Sequence, residues 1–366
     1  MPSILTPYAV PSSIDREYHQ LFDNDTTYFD RVDGEVRRLY DEDHEWFLLT
    51  LIRIEQFVAE VLASDEAAFV LVPNTTGNPI LREGMLARHF RDVQKLSTVH
   101  TRSYELSETI QLFFECWRDL QLGPEAFAGK RGYSTVPGKE PFERFNDLLA
   151  LIRERGRSSA FRRRLSRRKE RSVDNQKRGS EYLGKLFLQT YSKLLVLRVD
   201  FAYLLEFSPV ITPDRAREDI GRLFKRAKQH KDIGKYLLGQ LWKLEWTPKK
   251  GCHFHTIVVY DGHYRMADIH LAKMLGEFWK LHITDGRGVY WNCNRYKEDY
   301  AYLGIGQIHR NDMVKRGNLV EHVLGYLTKC DQYLLADSLR QGRCFQSGHL
   351  TRGASAHQEV RRRFRP

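Results

Sequence analysis

The 366-residue sequence contains no long apolar segment, no export signal and no closely spaced pair of cysteines. Apolar runs such as Trp46 to Leu49 are soon interrupted, whereas a membrane-spanning helix needs about 20 apolar residues. The first 17 residues have neither a basic start nor an apolar stretch, so we expect no secretion and a cytoplasmic location. The five cysteines include no C-x-x-C pair, which disfavours a disulfide framework and a structural zinc site.

The net charge of +11 is distributed very unevenly along the chain. Residues 1–150 contain 15 lysines and arginines against 25 acidic residues, whereas residues 151–366 contain 43 against 22. The basic segment, defined as residues 151–178, has 12 basic and three acidic residues. Concentrated positive charge favours a polyanionic partner such as nucleic acid, because phosphate contacts release counterions. A solvated basic helix with a frayed tail is the alternative.

Helical periodicity dominates the acidic half of the chain. Apolar residues recur at spacings of three and four over 41–69 and 103–122, and Ser103 and Ser107 are candidate N-caps for the second helix. Glycine and proline then interrupt the pattern over 123–141, which predicts a linker. The arginine-rich residues beyond it are compatible with either a charged linker or an extended basic helix.

Strand patterns appear only after about residue 180. A buried strand is predicted over 194–207, and Thr212 followed by Pro213 is typical of a helix start. Alternating residues over 239–247, a turn and a second apolar run over 252–260 predict a β-hairpin. Helices interspersed with hairpin strands indicate an α+β fold with an antiparallel or mixed central sheet flanked by helices, preceded by a mostly helical N-terminal region.

The predicted organisation has five segments. They are an acidic, mostly helical domain (1–122), a Gly/Pro-rich linker (123–141), a helix with the arginine-rich stretch (142–179), a sheet-containing domain (180–345) and a basic tail (346–366). Within the third segment, Arg162, Arg163, Arg167 and Arg168 are predicted to contact DNA phosphates without reading sequence.

The pattern that most strongly suggests chemistry is His253-Phe254-His255 in an apolar strand. Residues i and i+2 of a strand share a face, so the two imidazoles are expected to project together, an arrangement suited to binding a metal. A three-residue loop would place Glu245 directly opposite His253, completing a mixed N/O site for Mg²⁺ or Mn²⁺ with open coordination positions. The alternatives are a chance H-x-H and an exposed carboxylate paired with Lys243 or Lys250.

A second group of candidate residues lies in a helix predicted to begin at Asn318, where Asn318 and Glu321 have the spacing of a capping box. Tyr326 and Lys329 are three residues apart and are expected to share a helix face. Near a divalent ion, the tyrosine could act as a nucleophile toward phosphorus while the lysine stabilises charge. Tyr333 competes for this role, and simple core packing of Tyr326 is the alternative.

The ordered set of a strand with H-x-H, an acid on the preceding hairpin strand and a later Y-x-x-K helix resembles the HUH endonuclease superfamily. The runs KLEWTPKKGCHFHTIVVYDG and GYLTKCDQYL look like replication-initiation proteins of filamentous phages, of the inovirus Gp2 and YagK/YfjJ C-terminal domain type. The resemblance covers about 180–345, and LLVLRVDFAYL would correspond to the first strand motif of the superfamily.

The resemblance implies a rolling-circle replication initiator of a phage or prophage, acting in the bacterial cytoplasm. Its metal, held by Glu245, His253 and His255, would polarise a phosphate of single-stranded DNA at an origin. Tyr326 would then form a 5′-phosphotyrosine link, with Lys329 stabilising charge. The sequence has no G-x-x-x-x-G-K-[ST] motif, so a host helicase and polymerase are expected partners. The alternatives are an HUH transposase or relaxase, and a non-catalytic DNA-binding regulatory protein.

Overall fold

The computed structural model of the protein describes residues 27–74, 79–97, 104–123, 126–127, 139–189, 192–329, 334–336, 339 and 342–350. The strands are β1 (Thr27–Val32), β2 (Glu35–Tyr40), β3 (Phe69–Val72), β4 (Ile80–Glu83), β5 (Tyr104–Leu106), β6 (Lys193–Tyr203), β7 (Leu237–Thr247), β8 (Gly251–Asp261), β9 (Gly288–Asn292), β10 (Gly306–His309), β11 (Leu334–Ala336) and β12 (Phe345–Ser347). The α-helices are α1 (Glu42–Ala63), α2 (Val93–Leu96), α3 (Glu108–Asp119), α4 (Pro141–Gly156), α5 (Ser159–Gln189), α6 (Pro213–Gln229), α7 (Asp268–Phe278), α8 (Met313–Asn318) and α9 (Gly325–Lys329).

The chain forms two compact units. The first comprises the described residues of 1–44, 173–330 and 338–366, and the second those of 45–172 and 331–337. This division differs from the segment boundaries expected from the sequence, because the N-terminal hairpin β1–β2 belongs to the unit that contains the large sheet. In that unit Phe29 packs with Ala202, Leu204 and Val289, and its carbonyl accepts a hydrogen bond from the Leu205 N–H (2.9 Å).

The central sheet of the first unit is antiparallel throughout, in the order β10–β6–β8–β7–β12, and β9 also pairs with β6. The C-terminal turns of α5 and the segment from Leu319 to Leu327 pack on one face, around Val196, Leu241 and Ile257. Trp279 packs against Phe201, Tyr203 and Phe254 on the other face. The predicted antiparallel sheet flanked by helices is confirmed.

Helix ends follow the expected capping chemistry at two positions. The Thr212 hydroxyl accepts a hydrogen bond from the Arg215 N–H (3.2 Å) at the start of α6, with Pro213 in the first turn. The Ser107 hydroxyl accepts from the Ile110 N–H (3.2 Å) at the start of α3. Both predicted N-caps are therefore confirmed, whereas Ser103 lies outside the described residues.

The prediction that Asn318 begins the last helix is wrong. The helix begins at Met313, where the Asp312 carboxylate accepts from the Lys315 N–H (3.0 Å). Asn318 has helical backbone angles, and its amide donates instead to the Leu303 carbonyl (3.2 Å). From Leu319 to Leu324 the helix widens to π geometry before it continues as α9. Such insertions often occur at functional sites.

The second unit contains α1 to α4, the two short sheets β3–β4 and β5–β11, and the part of α5 before Val173. Helices α1, α3 and α4 enclose a core in which Phe57 packs against Phe113 and Phe145. The basic segment is mostly helical and not a linker, because it comprises the end of α4 and the part of α5 from Ser159 onward. Across the described residues, no helix combines the length and apolar character required to cross a membrane.

Candidate metal centre

The site is built on the β7–β8 hairpin. Thr247 pairs with Gly251, so the loop contains the three residues 248–250, and Glu245 lies directly opposite His253. Gly251 has a φ of +64°, a left-handed conformation that favours glycine and is usual after a three-residue turn. The three-residue loop that the predicted site requires is therefore present, and it places Glu245 on the same face as both histidines.

Three potential ligands converge on this face. One donor atom each from Glu245, His253 and His255 lies within 4.8 Å of the other two. The Glu245 Oε2 atom is 3.2 Å from His255 Nε2 and 3.8 Å from His253 Nε2. The predicted convergence is confirmed. The alternative of an exposed Glu245 is wrong, because only 8% of this residue is exposed.

The outer nitrogen of each imidazole has a fixed neighbour. His253 Nδ1 donates to the carbonyl oxygen of Gly251 (2.9 Å), and His255 Nδ1 lies 3.0 Å from Asp200 Oδ1. Both Nε2 atoms are thereby directed toward Glu245. Metal-binding histidines are commonly oriented in this way by a carbonyl or a carboxylate on the second nitrogen.

Sequence reasoning did not identify Asp200 and Arg198 as site residues. Asp200 pairs with His255 across β6 and β8, and Arg198 Nε lies 3.8 Å from Asp200 Oδ1. Each residue is only 6% exposed. Two opposite charges at i and i+2 within the apolar run LLVLRVDFAYL were the available signal, because a buried strand rarely contains charges without a specific partner.

Neighbouring charges in the site shift the pKa values of its residues in the direction opposite to the effect of burial. Burial disfavours ionised Glu245, but His255, Lys243 and His253 lower its pKa to about 2. Burial also favours neutral His255, but the carboxylates of Asp200 and Glu245 raise its pKa to about 9. The pKa of Asp200 is likewise held below its usual range, despite burial, by His255 and Arg198. Both carboxylates are therefore held in the ionised form, in which Glu245 can offer a charged oxygen to a cation.

The chemistry of this donor set fits a divalent cation. Two imidazole nitrogens and one carboxylate oxygen form a mixed set of the kind that Mn²⁺ and other divalent ions accept. The Glu245 Oε1 atom is buried and has no hydrogen-bond partner among the described residues. Three protein ligands leave coordination positions for water and substrate, as in catalytic sites. Glu245, His253 and His255 could thus bind a metal ion.

Tyr326 packs directly against the site. Its ring is perpendicular to that of His255, with centroids 5.1 Å apart, and the Arg198 guanidinium carbon lies 4.4 Å from its centroid. Only 7% of Tyr326 is exposed. It belongs to the hydrophobic cluster that packs around Val196, Leu241 and Ile257 on one face of the central sheet. The structure therefore brings the predicted nucleophile to the predicted metal ligands.

A narrow cavity reaches Tyr326 beside the candidate metal ligands. It has a volume of about 20 Å³, and its lining includes Arg198, Tyr300, Tyr302, His322 and Tyr326. The rings of Tyr302 and His322 stack with centroids 3.8 Å apart, and Tyr302 is 43% exposed. A cavity of this size accommodates about one water molecule. The cavity therefore leaves no room beside Tyr326 for a group much larger than water.

The remaining predicted site residues are only partly described. Lys329 is the last residue of α9, three positions after Tyr326, but its side chain lies outside the described part of the structure, as does all of Tyr333. Arg162, Arg163 and Arg167 are exposed on α5, in the second unit, and the Arg168 side chain is not described. The structure thus brings together Glu245, His253, His255 and Tyr326.

Comparisons of the chain with protein-family models, with curated proteins and with solved structures found no match.

Proposed function

We propose that this protein is an HUH-type endonuclease that nicks and rejoins single-stranded DNA through a tyrosine. The observation that supports the proposal is the contact between Tyr326 and His255, since it brings a tyrosine next to the three residues that could hold a metal ion. In the wider proposal the protein initiates rolling-circle replication at an origin of a phage or prophage, with host helicase and polymerase as partners.

Glu245, His253 and His255 would hold Mg²⁺ or Mn²⁺, which polarises the scissile phosphate and neutralises charge on it when bound. Asp200 would orient His255 through Nδ1, and the Gly251 carbonyl would orient His253. The guanidinium of Arg198, stacked on Tyr326, would hold the phenol ring in position. Each of these groups would hold its neighbouring side chain in position before the DNA strand binds.

In the proposed reaction the Tyr326 oxygen attacks the phosphorus of the scissile phosphodiester. The tyrosine O–P bond forms, and the bond from phosphorus to the 3′ oxygen breaks. The proton lost by the phenol is balanced by the proton gained by the 3′ oxygen. The products are a 5′-phosphotyrosine and a free 3′-OH, and the reverse reaction rejoins the strand without ATP. Lys329 would stabilise charge on the phosphate.

A second candidate is a DNA-binding regulatory protein that does not cut DNA. It is favoured by the burial of Tyr326 within the hydrophobic cluster, where the residue also satisfies a packing role. The two candidates make opposite predictions about covalent chemistry. A transposase or relaxase of the same superfamily would share that chemistry and would differ in its DNA substrate.

The test is covalent adduct formation with 5′-labelled and 3′-labelled single-stranded DNA in Mn²⁺, followed on a denaturing gel. We expect an adduct with the native protein and none with Tyr326→Phe, while DNA binding remains, because phosphate contacts supply most of the affinity. Tyr260→Phe is the matched control, because the Tyr260 hydroxyl is buried, has no hydrogen-bond partner among the described residues, and lies on the other sheet face. An adduct formed by Tyr326→Phe at the native rate would refute the assigned nucleophile.

A further inference from the structure

A second cavity lies in the first unit, on the sheet face opposite the metal centre. It has a volume of about 630 Å³, and its lining includes Arg217, Lys225, Lys228, Gln240, Trp242 and Arg343. Gln240 and Trp242 alternate along β7 with Lys243 and Glu245, so they project from the other face of the strand. Cavities of 300–1,000 Å³ commonly bind small molecules. This cavity is separate from the proposed nicking chemistry.

The lining of this cavity is positively charged. Arg217, Lys225 and Lys228 project from one side of α6, and Arg343 and His349 contribute from the C-terminal region. No carboxylate occurs among the described residues that line it. Arg217 is held in place by Asp214 (2.7 Å) and by the Arg343 carbonyl (3.1 Å), and its Nη2 atom is buried without a hydrogen bond to any described residue. The cavity therefore suits an anionic group.

The floor of the cavity has the features of a base-binding surface. Gln240 is 8% exposed, and its side-chain Oε1 atom is buried without a hydrogen-bond partner among the described residues. Gly348 packs on this amide so closely that a Cβ atom there would lie 2.6 Å from Gln240 Cδ. The indole of Trp242 lies beside it, held edge-to-face by Phe254 (5.7 Å). A glutamine amide can form paired hydrogen bonds with adenine, and aromatic rings stack on any base.

We propose that this cavity binds a nucleoside phosphate, with the phosphate near Arg217 and the lysines of α6 and the base against Gln240 and Trp242. The ligand is either a free nucleotide or one unit of a nucleic-acid strand, since both present the same chemistry. The buried Arg217 Nη2 and Gln240 Oε1 atoms have no hydrogen-bond partner among the described residues, and such a ligand would supply one to each.

Gly221 offers a direct way to block the cavity. It lines the cavity in the middle of α6, and a Cβ atom added there would meet nothing within 4 Å. Gly221→Trp should therefore fold while filling the space. Gly221→Ala is the matched control, because it makes the same backbone change and adds a single methyl group. Circular dichroism and thermal unfolding would verify that both variants are folded.

Calorimetric titration of the full-length protein with dAMP, with inorganic phosphate and with a five-residue oligo(dA) tests the proposal. We expect dAMP to bind the native protein and Gly221→Ala within about twofold of each other, and Gly221→Trp at least about tenfold more weakly. Gln240→Leu should weaken dAMP binding and leave phosphate binding unchanged. Oligo(dA) binding tenfold tighter than dAMP would identify a strand as the ligand, and equal binding a free nucleotide.

Three results would overturn the proposal. They are no dAMP binding at about 1 mM, native affinity in folded Gly221→Trp, and phosphate binding as tight as dAMP binding. None of these measurements requires DNA nicking, so a failure of the proposed nuclease function would not alter their outcome.

Discussion

Replacing Asp200 with asparagine should weaken metal binding and destabilise the fold through two separable interactions. Asp200 Oδ1 lies 3.0 Å from His255 Nδ1, so the variant loses the charge that orients and polarises the imidazole of this proposed ligand. Removing such a supporting group typically lowers metal affinity about 10–100-fold, or about 1.4–2.8 kcal/mol. Asp200 also compensates the buried Arg198, whose Nε and Nη2 atoms form no hydrogen bond with described residues. Leaving that charge unpaired costs about 3–5 kcal/mol.

A double variant separates the two effects. In Arg198→Met/Asp200→Asn no buried guanidinium remains, so most of the lost stability should return while the Mn²⁺ affinity stays low. Stability is measured by urea unfolding in the presence of a chelator, and affinity by calorimetric titration with Mn²⁺. Asp219→Asn is the matched control, because Asp219 is fully buried and pairs with Arg222 and Arg215 on α6, away from the proposed ligands. It should lose stability and keep the native affinity.

The reasoning would be refuted if Asp200→Asn bound Mn²⁺ as tightly as the native protein despite its lower stability. Asp200 would then serve only as the partner of Arg198. Recovery of Mn²⁺ affinity in the double variant would be equally damaging, because it would attribute the loss of affinity to the uncompensated arginine.

Further predictions concern the charges of the site and of the basic segment. Because the pKa of His255 is raised to about 9 in the ion-free site, Mn²⁺ must displace a proton, and its apparent affinity should rise about tenfold per pH unit up to about pH 9 in titrations across this range. The same shift means that the ion-free protein should lose stability in urea unfolding as pH rises from about 6.5 to 9. Glu245→Gln should lower Mn²⁺ affinity and narrow the pH range over which the affinity rises, because Asp200 alone would then raise the pKa of His255. Native affinity in this variant would exclude Glu245 as a ligand. Changing the four arginines at 162, 163, 167 and 168 to alanine should reduce the log–log salt slope of DNA binding by about one per lost contact, and an unchanged slope would exclude them from the interface.

The parts of the site predicted correctly from the sequence depend on short-range geometry. The loop of the β7–β8 hairpin has three residues, so the pairing of Glu245 with His253 follows from counting and from the two-residue period of a strand. The N-caps Thr212 and Ser107 could be predicted for the same reason, since the hydroxyl and the N–H that it accepts from are separated by only three residues.

The parts that were missed depend on pairing between distant segments. Asp200 meets His255 because β6 lies beside β8, and the local sequence of neither strand specifies that neighbour. The start of the last helix also depends on a distant segment. Asp312 and Asn318 can both cap a helix, so the local sequence does not decide between them. The Asn318 amide donates to the Leu303 carbonyl, and the helix begins after Asp312 instead. Local capping propensity cannot distinguish these two outcomes.

Peptide mapping of the protein–DNA adduct tests the central claim most directly. Trypsin cleaves after Arg316, Lys329 and Arg340, so Tyr326 and Tyr333 are released in different peptides, 317–329 and 330–340, each with a single tyrosine. After nuclease trimming of the adduct formed in Mn²⁺, mass spectrometry should find the nucleotide on peptide 317–329, attached to Tyr326. Attachment within 330–340, or no adduct from protein shown to bind both Mn²⁺ and single-stranded DNA, would contradict the account.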